Sequence, residues 1–172
     1  MAGEGLEDIL APGLSVVFCG INPGLLAASQ WHHFAGRGNR FWRTLHLAGF
    51  TPYEVRAEDD RSILQFGCGL TAVVERPTAR ADQLAVQEFA AVALSFEQKI
   101  TRCAPRYVAF LGKAAYAALS GQKVVAWGLQ AKTFGGAHVW VLPNPSGRNR
   151  AFSLEQLVAA YRELHEALIA SG

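Results

Sequence analysis

The chain has 172 residues, of which 51% are hydrophobic and 17% charged, and its net charge is +2. This composition indicates one compact domain (residues 1–172) with a sizeable core, and it excludes a disordered binding segment. No apolar run approaches the roughly 18 residues of a membrane span and no leader-like segment opens the chain, so we expect a cytoplasmic monomer without membrane contact.

Strand and helix patterns alternate along the chain. A strand is predicted at residues 16–19, and after a long loop a helix begins at Asn39, a good N-cap, and ends at Gly49. The remaining elements are a short helix at 59–66, a strand at 70–74, a helix at 86–102, a strand at 106–111, a helix at 113–119, two strands at 130–134 and 138–142, and a helix at 153–169. This alternation predicts an α/β fold, a three-layer sandwich with a mainly parallel central sheet between helices.

Two loops share an Asn-Pro pattern, Gly-Ile-Asn-Pro-Gly at residues 20–24 and Pro-Asn-Pro-Ser-Gly at residues 143–147. Each follows a predicted strand, and α/β sheets bind ligands at the carboxyl ends of their strands. An asparagine amide both donates and accepts, so two of them could grip a base and place a water.

These loops also have plainer interpretations. An ordinary turn is the alternative for a single copy. A non-catalytic nucleotide-binding module would use residues 20–24 as a phosphate loop, but residues 25–28 offer no Lys, Ser or Thr in the following turn. A general nucleic-acid-binding domain is a third alternative, and it would not need two matched Asn-Pro loops.

The charges are unevenly distributed. All 14 carboxylates lie outside residues 9–53 and 98–154, whereas these two segments hold 11 of the 16 Lys and Arg. A polyanion approaching the Asn-Pro loops would therefore meet cations and no competing carboxylate, which favours nucleic-acid binding. The arginines expected to face it are Arg37, Arg40, Arg43, Arg148 and Arg150.

Five segments carry a family resemblance, in order along the chain: Gly-Ile-Asn-Pro-Gly-Leu at 20–25, Gly-Asn-Arg-Phe-Trp at 38–42, Gly-Leu-Thr with Val-Glu-Arg within 69–76, Leu-Gly-Lys at 111–113, and Pro-Asn-Pro-Ser at 143–146. Together they resemble the mismatch-specific uracil/thymine DNA glycosylases of the uracil-DNA glycosylase superfamily. The resemblance implies base flipping and hydrolysis of the N-glycosidic bond of uracil, and of thymine, opposite guanine in duplex DNA. The abasic site would pass to downstream enzymes of base excision repair.

The resemblance also assigns the base pocket. Asn22 matches the catalytic position, where a neutral amide would orient water, and the backbone amide of Ile21 would contact a pyrimidine carbonyl. Asn144 would add side-chain contacts. Phe34 matches the aromatic ring on which the flipped base stacks, although an ordinary buried phenylalanine is the alternative. Ala27 stands where uracil-preferring members often have serine, and it resembles the thymine-tolerant branch.

Residues 147–150 resemble the loop that wedges into the duplex and contacts the mismatch. They are Gly147, Arg148, Asn149 and Arg150. Arg148 could fill the vacated gap with its guanidinium plane, while phosphate contacts by Arg148 and Arg150 are the alternative.

Other residue types limit the chemistry. No lysine lies in either Asn-Pro loop, which favours hydrolysis over a covalent lyase route. The three cysteines are widely spaced, so neither a disulfide framework nor a zinc or iron–sulfur site is expected. We expect no metal and no cofactor. His32 and His33 are adjacent and resemble the His-His pair of the thymine branch; we expect them to contact phosphate or line the pocket mouth. Ala72 replaces a lysine of uracil-preferring members, so the second pocket contact of that branch is not carried over.

Overall fold

The structure is a computed structural model that describes residues 7–20, 32–36, 38–73 and 86–171. Its centre is a five-stranded sheet. The strands are β1 (Val16–Gly20), β2 (Cys68–Ala72), β3 (Tyr107–Leu111), β4 (Gly128–Phe134) and β5 (Ala137–Leu142). Their order is β2-β1-β3-β5-β4, and only β4 runs antiparallel to its neighbour within this sheet. The predicted mainly parallel sheet is therefore confirmed, with β2 and β4 each beginning two residues earlier than the pattern indicated.

Helices cover both faces of the sheet. They are α1 (Phe41–Ala48), a 3₁₀ helix (Ala57–Phe66), α2 (Val86–Cys103), α3 (Lys113–Ser120) and α4 (Leu154–Ser171). Successive side chains of a strand point to opposite faces, so Val16 and Phe18 of β1 enter a core with α1 and α4. Val17 and Cys19 enter the second core, beneath α2 and α3. The predicted three-layer α/β fold is confirmed.

Gly49 closes α1 with a φ of 105°, as predicted, whereas the N-cap of α1 is Arg40 rather than Asn39. The Asn39 side-chain Oδ1 accepts the N–H of Phe41 at 2.9 Å from one residue further back. At α4, the Ser153 and Gln156 side chains accept each other's backbone N–H, at 3.1 and 2.8 Å. None of the described helices is both long and apolar enough to cross a membrane.

Four parallel strands end at one edge of the sheet, which we call the carboxyl edge. It is formed by Gly20, Ala72, Leu111 and Leu142. Gly20 and Ala72 are partners in the register of β1 and β2, and the Gly20 carbonyl accepts the N–H of Val73 at 3.0 Å. The segments that follow β1 and β5, which contain the two Asn-Pro patterns, therefore leave the sheet at the same edge.

Candidate active site

Three predicted pocket residues, Ile21, Asn22 and Ala27, lie outside the described residues, as does Arg37. Their assignments stay predictions. What the structure describes is the rest of the carboxyl edge: the loop after β5 and the turn that carries Phe34.

Arg40 ties the loop after β5 to the start of α1, where the next residue, Phe41, stacks on Phe34. It lies just before α1, and its backbone N–H donates to the carbonyl of Pro145 at 3.0 Å. Its guanidinium donates to the carbonyls of Phe152 at 2.7 Å, Ser146 at 2.9 Å and Asn149 at 3.0 Å. The planar fork of arginine suits several carbonyls at once. In the structure the Arg40 guanidinium is therefore bound to the protein's own loop, in contrast to the expectation that it faces DNA.

The loop at residues 143–150 is shaped by its own asparagines. The Asn144 Oδ1 accepts the N–H of Ser146 at 2.9 Å, and the Asn149 Nδ2 donates to the Asn144 carbonyl at 2.9 Å. The Asn149 Oδ1 accepts the N–H of Ala151 at 3.2 Å. Asn149 therefore supports the loop from within. Asn144 is half-buried, and its amide nitrogen has no hydrogen-bond partner among the described residues, so it can donate to a ligand.

The tip of this loop packs closely on the segment before α1. A Cβ at Gly147 would lie 2.8 Å from the Gly38 carbonyl oxygen, so the loop leaves no room there for a side chain. Arg148 and Arg150 are exposed at the tip. At the base of the loop, the hydroxyl of the buried Tyr161 donates to the Pro143 carbonyl at 2.9 Å. The loop is thus held at both ends and presents two guanidinium groups to solvent.

Phe34 occupies an unusual backbone conformation. Its φ is +57°, which is uncommon for any residue with a side chain. Its ring stacks on Phe41, with centroids 4.0 Å apart and planes at 20°, and lies edge-on to Trp42. Phe41 is fully buried, whereas Phe34 is only partly so. Phe34 is therefore not an ordinary interior phenylalanine, because its ring caps the core at the point where α1 begins.

His33 differs from the sequence-based expectation. It is only 6% exposed, and its Nε2 donates to the Glu7 carbonyl at 2.8 Å. Its backbone N–H donates to Asp60 Oδ2 at 2.8 Å. Burial lowers the pKa of His33, although the Glu7 carbonyl and Asp60 act in the opposite direction, so the neutral ring with its proton on Nε2 is favoured. The expectation that His33 contacts phosphate is wrong.

Two carboxylates from elsewhere in the chain lie beside the segments that contain no acid, and Asp60 is the first of them. Its carboxylate is 3% exposed, and its Oδ1 lies 3.4 Å from His32 Nδ1. The fold brings this acid beside a segment that contains none in sequence. Similarly, Asp8 Oδ2 pairs with Lys99 at 2.7 Å, and Asp8 Oδ1 accepts the Thr71 hydroxyl at 2.6 Å. Carboxylates thus approach both segments in the fold, although Asp60 is buried from a polyanion, and Lys99 is paired within the protein.

A further aromatic cluster lies near the loop and was not anticipated. The Lys113 ammonium lies 4.5 Å from the centre of the Trp127 ring, and Trp127 is edge-on to Phe152 at 5.3 Å. Lys113 follows β3 and Trp127 precedes β4, so both lie at the carboxyl edge. The Leu-Gly-Lys segment was the one available signal, and it specified no partner for the lysine.

The described part of the chain contains no group of three or more His, Cys, Asp or Glu side chains that could hold a metal ion. Cys19, Cys68 and Cys103 are free thiols, and burial raises the pKa of Cys68 to about 12. The described part of the carboxyl edge presents amide, aromatic and guanidinium groups, together with the Lys113 ammonium.

The chain is similar to known proteins in sequence and in fold. The family description "Uracil DNA glycosylase superfamily" matches residues 7–165. The fold is similar to the solution NMR structure of a candidate uracil DNA glycosylase from Methanosarcina acetivorans, with a TM-score of 0.61 and 21% identity. That similarity covers 96% of this chain and 99% of the other, and at this identity it shows the fold alone. Because the family match spans almost the whole sequence, the chain belongs to the uracil DNA glycosylase superfamily.

Proposed function

We propose that the protein is a monofunctional DNA glycosylase that flips uracil, and also thymine, out of a mismatch with guanine and hydrolyses the N-glycosidic bond. The observation that carries this proposal is that the Phe34 turn and the 143–150 loop meet at the start of α1, where Arg40 binds the loop and the next residue, Phe41, stacks on the Phe34 ring. A base-flipping enzyme needs a stacking surface, polar groups for the base edge and a wedge within reach of one another. Membership of the superfamily supports uracil as a substrate.

In this mechanism, Phe34 stacks on the flipped base while the Ile21 amide and the Asn144 side chain read its edge. Asn22 orients the attacking water. Cleavage develops positive charge on the sugar and negative charge on the departing base, so fixed donors around the base lower the barrier without a strong general base. The loop at residues 143–150 contains no lysine, which agrees with hydrolysis rather than lyase chemistry.

Arg148 acts as the wedge in this proposal, and Arg150 contacts phosphate. Both are exposed at the tip of the loop, where no other described side chain engages their guanidinium groups. Action in the cytoplasm, a monomeric state and transfer of the abasic site to downstream repair enzymes stay predictions.

The direct test is incubation with labelled duplexes containing G·U, G·T or A·U, and with single-stranded uracil DNA. We expect alkali-labile sites in G·U and, more slowly, in G·T. Cleavage of A·U and single strands at the G·U rate would contradict mismatch specificity. The absence of abasic sites in every substrate would contradict glycosylase activity.

Salt dependence tests the binding of DNA phosphates. Log affinity for duplex DNA should fall linearly with log salt concentration, with a slope of about −0.9 for each phosphate that the protein neutralises. We expect Arg150→Ala to flatten the slope by about 0.9, and Arg148→Ala to slow excision with little change in slope. Arg102→Ala is the matched control, because Arg102 is exposed in the last turn of α2, before β3, at the opposite edge of the sheet. A flatter slope in Arg148→Ala would assign that residue to phosphate.

Ala27→Ser tests the thymine-tolerant branch. A methyl group at residue 27 would leave room for the 5-methyl of thymine, whereas a serine would crowd it and bring a hydroxyl that needs a partner. Differences of one small group are worth about 1–3 kcal/mol, so the ratio of G·T to G·U single-turnover rates should fall about tenfold or more. An unchanged ratio, or a native protein inactive on G·T, would show that Ala27 does not determine activity on thymine.

A further inference from the structure

Asp60 is a buried carboxylate outside the residues assigned to the reaction. It lies within the 3₁₀ helix that precedes β2, and its Oδ2 accepts the His33 N–H at 2.8 Å. Burying a carboxylate is unfavourable unless hydrogen bonds replace its water. Asp60 thus binds a backbone N–H of the turn that carries Phe34, and this hydrogen bond offsets part of the cost of burying its carboxylate.

His33 is held from three directions. Besides Asp60, the Glu7 carbonyl accepts its Nε2–H, and its own carbonyl accepts the Trp42 Nε1–H at 3.0 Å. The next residue is Phe34, whose left-handed backbone needs support from its surroundings. The three hydrogen bonds fix the residue before the strained position and so set the direction of the Phe34 ring.

We propose that Asp60 is a positioning residue that holds the turn at residues 32–34, so that Phe34 stays stacked on Phe41 with its partly exposed side available to the flipped base. The role of Phe34 rests on the proposed function, whereas the anchoring of the turn does not. The acceptor oxygen carries this role, because it receives the His33 N–H directly.

Three variants separate this role from a general effect of charge or stability. Asp60→Ala removes the acceptor, and Asp60→Asn keeps an acceptor oxygen without the charge. Asp59→Ala is the matched control, because Asp59 is an exposed carboxylate in the same helix. We expect Asp60→Ala to lower the single-turnover rate on G·U by about tenfold or more, with duplex affinity changed by less than about threefold. Asp60→Asn and Asp59→Ala should stay within about threefold of the native rate.

A double-mutant cycle with Phe34→Ala tests whether Asp60 acts through Phe34. If it does, Asp60→Ala should reduce the rate by less than about twofold once the ring is absent. An equal reduction in both backgrounds would overturn the proposal. A tenfold reduction of the single-turnover rate in Asp60→Asn would also overturn it. Asp60→Asn is the decisive variant if Asp60→Ala does not fold.

Amide hydrogen exchange supplies a test without catalysis. Peptides covering residues 32–36 should lose protection in Asp60→Ala and keep it in Asp59→Ala and Asp60→Asn. Unchanged protection in Asp60→Ala would overturn the anchoring even in an active enzyme. Conversely, a native protein inactive on every uracil substrate would overturn the proposed function and the catalytic role of the turn. Reduced protection in Asp60→Ala would still establish that Asp60 anchors the turn.

Discussion

Replacing Asn22 with alanine is expected to slow excision of uracil from a G·U duplex by about 10²–10³-fold. The side-chain amide is proposed to hold the water that attacks the sugar as the base departs. Without it, water must be ordered at the moment of reaction, and the barrier rises. Single-turnover cleavage with enzyme in excess isolates this chemical step from product release.

Duplex affinity and the thermal unfolding midpoint should remain close to native in Asn22→Ala, because the residue is assigned to chemistry rather than to folding or phosphate binding. These two measurements are the controls for the rate. A variant with the native rate would move the catalytic role to another residue, and Asn144 would then be the first to test because its amide nitrogen is unpaired among the described residues. A decrease in affinity matching the decrease in rate would assign Asn22 to binding.

The strands and most helices could be predicted because their determinants are local. In β1 and β3, β-branched and aromatic residues enter cores on both faces. Gly49 marks the end of α1 and Ser153 the start of α4, as predicted. The 3₁₀ helix was predicted only as a short helix, and its start was placed two residues late. The β4 strand is largely exposed and its pairing with β5 is irregular. Its alternation of apolar and polar residues is therefore weak, and its first two residues were not predicted.

The candidate site could be predicted only in part, because motifs specify the loops but not what holds them. The resemblance assigned Phe34 and Asn144 to the pocket; the structure has Asn144 two residues after β5 and the Phe34 ring on Phe41, and the pocket roles stay predictions. Arg40 binds Ser146, which is 106 residues away, and Asp60 binds His33, which is 27 residues away. Hydrogen bonds between such distant segments produce no periodic pattern in the sequence. For the same reason, the absence of acids from residues 9–53 did not indicate that Asp60 lies beside His33 in the folded chain.

Arg40→Ala is expected to destabilise the protein and to slow excision. Three short hydrogen bonds from its guanidinium to loop carbonyls would be removed. A bond to a charged group is worth about 1.5–3 kcal/mol, and since Arg40 is only half-buried and water can replace part of the set, we expect the free energy of unfolding to fall by about 2–4 kcal/mol. Urea unfolding with an unchanged m-value measures this change.

Arg40→Lys and Arg43→Ala make the test specific. A lysine keeps the charge but cannot spread its donors across several carbonyls as a planar guanidinium does, so it should recover less than half of the stability that Arg40→Ala removes. Arg43 is exposed and lies three residues further along, within α1, so Arg43→Ala removes the same charge without touching the loop. We expect its free energy of unfolding to change by less than about 0.5 kcal/mol.

The same variants decide between the two roles of Arg40. If it holds the 143–150 loop, Arg40→Ala should slow single-turnover excision because Asn144 and Arg148 lose their fixed positions, while the salt slope of duplex binding changes little. If Arg40 instead faces phosphate, as the charge pattern predicted, stability should be native and the slope should flatten by about 0.9. A stable Arg40→Ala with a flattened slope would therefore overturn the loop-anchoring role. It would also remove the support that Arg40 gives to the proposal that the Phe34 turn and the 143–150 loop form one site.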